Sequence, residues 1–220
     1  MKVLFVGLAR SIWLFDVKLM NPRGISLQGV IDGLRDRYSF GQAPKHSGDV
    51  GTDNALAFKS GTFVNSKGVP ILVSFSIFND GFVADTLSST DDSTEFLTTV
   101  TRWIQDEYGL SIPTEIKKVY VSQIDCECDT PMSALNPHLP EIAGFLDRNV
   151  RSADDKTRHF NVSGLSLWTE DNTKPLAPAA FKYERKIGAP FSANHYFSQA
   201  PLETQAHIEL LNRIERVLRG

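Results

Sequence analysis

The chain has 220 residues, 41% hydrophobic and 22% charged, with a formal net charge of −3 and two cysteines. Those proportions belong to a folded globular chain. They exclude a low-complexity disordered or collagen-like protein, a generally basic nucleic-acid protein and a disulfide scaffold.

In chain order, the apolar runs 2–8 and 11–18 predict two strands separated at Arg10. The first run is far shorter than the roughly 20 apolar residues of a membrane span, and no small-x-small cleavage site follows it closely. Few cysteines and no targeting signal predict a cytoplasmic protein. The sequon Asn161-Val162-Ser163 has meaning only in a secreted context. Pro22-Arg23-Gly24 is a turn, and Ser26 is placed to cap a helix over 27–38. Leu27, Val30, Ile31, Leu34 and Tyr38 share one face of that helix, and Gly29 and Gly33 weaken it or admit a close neighbour. Residues 39–53, rich in glycine, form a loop long enough to be a candidate binding segment.

Residues 54–87 predict a three-stranded antiparallel meander. Its apolar residues alternate, and its turns fall at Asn65-Ser66-Lys67-Gly68 and Asn79-Asp80-Gly81. A helix follows over 92–108, with Asp92 and Glu95 at capping-box spacing and Gly109 as its stop. Residues 117–128 are a strand. Asn136-Pro137 opens a helix to about 149, with Leu139, Ile142, Phe145 and Leu146 inward. The polar stretch 151–157 is a loop. Residues 158–168 and 179–187 make a long hairpin, joined by 170–178, with a bulge at Gly164 where apolar parity changes. A short strand over 193–198 and a helix over 202–219 complete the chain.

Tight turns join most consecutive strands, which predicts an α+β fold: a mostly antiparallel sheet with about four helices packed on it. Residues 1–150 form the main part. The hairpin and last helix (151–220) pack on the same core as one domain.

Charge is segregated: net +3 over 1–50, −8 over 51–150 and +2 over 151–220. An acidic middle with mildly basic flanks suits a basic partner or a second copy of the chain. The sharpest local feature is Asp125-Cys126-Glu127-Cys128-Asp129. Strand alternation puts both cysteines on one face with Tyr120 and Ile124, and Asp125, Glu127 and Asp129 on the other. Three carboxylates in a row suit a divalent metal, or pairing with Lys182, Arg185 or Lys186. The cysteines followed by His138 lack structural-zinc spacing, and their acidic sequence neighbours disfavour a nucleophilic thiol. No H-E-x-x-H, G-x-S-x-G or phosphate-loop motif occurs. His195 is the first candidate for acid–base chemistry if the chain is an enzyme. The acid-x-Lys triplets at Asp16-Val17-Lys18 and Asp154-Asp155-Lys156 lack an upstream acid. The last helix carries Leu210, Leu211, Ile214, Val217 and Leu218 on one face, with little chain beyond to cover it; these are the candidate binding residues.

The sequence therefore predicts a non-catalytic subunit or adaptor of a complex, without a cofactor, acting through protein surfaces or self-association. One alternative is a metal-assisted hydrolase or nuclease using Asp125, Glu127 and Asp129. Another is a single-stranded nucleic-acid binder using the aromatic and basic run 181–186.

Overall fold

Arg10 does not divide the first strand. In the computed structural model, Lys2–Leu14 is one strand, β1. Asp85 lies opposite Arg10 in register, and two guanidinium–carboxylate bonds of 2.7 Å join them. That bidentate pair neutralises the charge that reads as a break in the sequence. Residues 15–18 are not strand either: Val17–Met20 is a 3-10 turn, whose Lys18 N–H donates to the Asp16 carboxylate.

The structure describes residues 1–51, 54–136, 138–150, 159–170 and 177–220. The remaining elements are α1 (Gln28–Tyr38), β2 (Leu56–Val64), β3 (Pro70–Phe78), β4 (Gly81–Thr86), α2 (Thr90–Tyr108), β5 (Lys117–Glu127), α3 (Leu139–Asn149), β6 (Gly164–Leu167), β7 (Phe181–Arg185), β8 (His195–Ala200) and α4 (Thr204–Arg219). The strands form an eight-stranded antiparallel sheet in the order β2-β3-β4-β1-β5-β8-β7-β6. With four α-helices among the described residues, this is the α+β architecture the sequence predicts. The expected helix start at Pro137, the loop 151–157 with Asp154-Asp155-Lys156, and most of the connector 170–178 lie outside the described residues.

Internal contacts divide the chain into two compact units. One comprises residues 6–122 and 201–205, the other 1–5, 123–200 and 206–220.

The first unit is built on the meander β2-β3-β4. Its second turn sits one residue earlier than the dipeptide Asp80-Gly81. Asn79 and Asp80 make the bend, Phe78 pairs with Gly81, and Gly81 opens β4 at φ +151°. β2 contains a bulge that the sequence reading missed. Its register shifts between Phe58 and Gly61, and Ser60 has φ +57°. Burial passes there from Leu56 and Phe58 to Gly61 and Phe63, and the Phe40 ring fills the space beside Gly61. The meander's buried Phe58, Phe75 and Phe82 meet Phe96, Leu97, Val100 and Ile104 of α2 in one core. Ser89, not Asp92, caps α2. Its Oγ accepts the Asp92 N–H at 3.1 Å, and Asp92 occupies the third helical position of the capping box. Glu95 is thereby free to accept the Ser66 backbone N–H in the first meander turn. α1 starts at Gln28 without a side-chain cap on Leu27, and Trp103 and Tyr108 press against Gly33.

The second unit buries Ile124, Cys126, Cys128, Met132, Tyr183, Tyr196, His207, Leu211 and Leu218. Tyr183 stacks on Tyr196 at 4.6 Å, and the Tyr196 hydroxyl accepts the Met132 N–H at 3.0 Å. No bulge is needed at Gly164. The parity change marks the start of β6, which is shorter than the sequence suggests and pairs with β7 over 164–167. β6 is the last strand of the sheet, and Leu167 and Trp168 at its end are exposed. The expected inward face of α3 is a further correction. No residue of α3 is buried, and Ile142, Phe145 and Leu146 are 59%, 60% and 37% exposed. Helical periodicity identifies an apolar stripe but not what covers it.

Candidate functional site

β5 carries Asp125, Cys126 and Glu127 but ends there, so Cys128 and Asp129 lie beyond the strand, and Asp125 is buried like Cys126. Cys126 and Cys128 are buried and unpaired by disulfide. Burial, with Cys128 and Asp125 adding to it, pushes the Cys126 thiol up to about 12. That shift disfavours the thiolate a nucleophile would need at neutral pH.

The three carboxylates do not converge. Asp125 is buried and its Oδ2 lies 2.6 Å from Lys186 Nζ. Glu127 faces Lys2 at 3.5 Å, and Asp129 faces Arg219 at 2.6 Å. Each acid already has a basic neighbour, but of the partners expected from the sequence only Lys186 is used, by Asp125; Glu127 and Asp129 pair instead with Lys2 and Arg219. Among the described residues, no group of three or more His, Cys, Asp and Glu is arranged to hold a metal ion.

The structure does bring His195 to Asp125. β8 places His195 Nε2 3.6 Å from Asp125 Oδ2, beside the Lys186 pair. Lys186 also stands near the Phe5 and Phe197 rings, at 5.7 and 5.9 Å from their centroids. The result is a carboxylate paired with an ammonium, with an imidazole nearby whose buried Nε2, 3.6 Å away, makes no hydrogen bond among the described residues, and with two aromatic rings near the ammonium. The cluster is a charge pair with a histidine beside it. Sequence reasoning named Asp125, Lys186 and His195 separately; only the pairing of strands shows that they meet.

This pair should respond unequally to mutation. Lys186→Met strands a buried carboxylate and should cost about 2 kcal/mol. Asp125→Asn leaves a half-exposed lysine that can reach water and should cost less than about 1 kcal/mol. Urea midpoints of the two variants give the comparison, and equal costs would contradict it.

A second polar pair is buried in the same unit. His207 shares a 2.8 Å hydrogen bond with Ser198 Oγ, which also donates to the Lys182 carbonyl. Burial lowers the His207 pKa from 6.5 to about 4. The folded state therefore favours neutral imidazole, and its contribution is complete above pH 6.5. It is lost as pH falls toward 4, because the unfolded chain binds the proton first. The loss over that window should be about 3 kcal/mol, at 1.36 kcal/mol per unit. His207→Gln should flatten the stability profile between pH 7 and 4 by that amount; an unchanged slope would refute it.

The candidate binding residues of α4 divide. Leu211 and Leu218 are buried, Leu210 and Ile214 are half-buried, and Val217 is exposed. The helix packs its stripe of Thr204, His207, Leu211, Glu215 and Leu218 into the folded chain. In the run 181–186, Phe181 and Tyr183 are likewise buried, so neither ring is a free platform for a base. Asp16 caps a turn, and within the described part of the 39–53 segment Asp49 accepts the N–H groups of Lys45 and His46. No helix among the described residues is long and apolar enough to cross a membrane.

No protein-family model matches the chain. No curated protein matches it either. Among solved structures, the Methanococcus jannaschii TBP is similar, with a TM-score of 0.47 and 12% identity over 99% of this chain and 97% of that one.

Proposed function

We propose that this chain is a non-catalytic component of a protein assembly, acting through a protein-binding surface. The observation that carries the reading is α3, an 11-residue helix with no buried residue and with Ile142, Phe145 and Leu146 turned to solvent. Val150 and Phe160 extend the exposed apolar surface, and the Asp147 carboxylate ties the Phe160 N–H to the helix. Exposed apolar side chains gathered on one helix are what protein partners cover. The two free, buried thiols suit a reducing compartment such as the cytoplasm.

The test is a photo-reactive phenylalanine analogue in place of Phe145, activated in intact cells. A discrete protein adduct, reduced by excess wild-type chain and by Ile142→Glu, is expected. Absence of any protein adduct at this position would overturn the reading.

A further inference from the structure

The geometry points to a second copy of this chain as the partner of α3, docked antiparallel across a two-fold axis. This rests on the reading of α3 as a protein-binding surface and names its occupant.

Glu141, Gly144, Phe145 and Arg148 fall at i, i+3, i+4 and i+7 and form one stripe of α3. The stripe is acidic at its first turn and basic at its last. Both charged residues are exposed; the Phe160 N–H first, and Arg148 to a lesser degree, lower the pKa of the adjacent Asp147, and neither Glu141 nor Arg148 forms a close ion pair with another described residue. Reversing the helix about a point between Gly144 and Phe145 brings Glu141 of each copy onto Arg148 of the other. The same operation sets each Phe145 beside the other copy's Gly144. Among the described residues, the guanidinium of Arg148 lies over Gly144, 3.4 Å from where a Cβ would stand. Drawing Arg148 outward onto Glu141 of the other copy is what uncovers Gly144 for that copy's ring. Ile142 borders the centre of the contact on one side, and antiparallel packing also opposes the two helix dipoles. The self-complementarity is what a two-fold interface requires, since the same patch must serve both subunits.

An 11-residue helix is about 16 Å long. Two such helices alone bury less than the roughly 1,200 Å² of a stable interface, so the dimer is a concentration-dependent one.

Sedimentation velocity over a concentration series tests this on the full chain. The weight-average mass should rise from 24.5 kDa toward twice that value. Phe145→Glu should remove the rise while leaving the far-UV circular dichroism intact. Glu141→Arg and Arg148→Glu should each weaken association at least ten-fold. The double variant, which rebuilds both pairs with signs exchanged, should restore it; structural damage would not be rescued in this way. A wild-type chain that stays monomeric at millimolar concentration overturns the inference. So does a dimer indifferent to these variants. If the photo-adduct at position 145 then contains a different protein, the binding-surface reading survives and only the second copy is lost; if no adduct forms, both fall.

Discussion

Glu215→Ala should destabilise the protein by about 3–5 kcal/mol, the cost of removing one partner from a buried ion pair. The Glu215 side chain is 8% exposed on α4 and carries several contacts at once. It pairs with the Met1 ammonium, itself almost fully buried. It lies 3.2 Å from Arg219 Nη2, and it accepts from Cys128 Sγ at 3.8 Å and from the Asp129 N–H at 3.4 Å. Without the carboxylate, the ammonium stays in the interior uncompensated. Glu215→Gln keeps the shape and some hydrogen-bonding capacity but not the charge, so it should recover only a minor part of the loss. Arg219→Ala should cost less than about 1 kcal/mol, because Arg219 is half-exposed. Urea unfolding followed by circular dichroism ranks the three. A Glu215→Ala effect no larger than that of Arg219→Ala would show that the pair contributes little.

Gly81→Ala should cost about 3 kcal/mol or more, and Gly81→Val more again. Two effects add. At φ +151° the backbone of Gly81 lies where L side chains rarely sit, and a Cβ there would land on the Trp13 carbonyl oxygen. That oxygen belongs to β1, which pairs with β4 down to Leu14 and Gly81, so it cannot move without opening the ladder. A methyl group at Gly68, also at positive φ but with no atom within 4 Å of its Cβ position, should cost only the backbone part, about 1 kcal/mol. The difference in melting temperature between Gly81→Ala and Gly68→Ala isolates the collision; equal shifts would remove it as a cause.

The parts of the fold legible in the sequence are those whose signals are local. The meander follows from alternation and turn residues, and α2 and α4 from stripes of apolar residues. The sequence alone divides β1 at Arg10 because the partner that neutralises Arg10 is Asp85, 75 residues away. The β2 bulge had left a trace, the parity switch from Phe58 to Phe63, that a strand pattern read in pieces does not register. Ser89 was overlooked as the cap of α2 because Asp92 and Glu95 match the same spacing one turn later. At the candidate sites, the sequence named His195 and the acids of β5, but it could not say that Asp125 reaches His195 while Glu127 and Asp129 turn to other partners. That depends on which strand lies beside β5. The apolar stripes of α3 and α4 looked alike in sequence; only packing separates a stripe that the chain covers itself from one it leaves open.

The two ends of the sheet are guarded differently. Beside β2, Gln42 bridges Lys59 through paired backbone bonds of 3.2 and 2.8 Å, closing part of that margin. β6 has no such cover among the described residues, and from Phe160 to Thr169 the sequence holds no charged side chain and no proline to obstruct an incoming strand. The sheet therefore has a direction of growth. If heating or long storage drives this protein into fibrils, the templating margin is β6, and a single lysine at Ser166 is the least intrusive way to seal it.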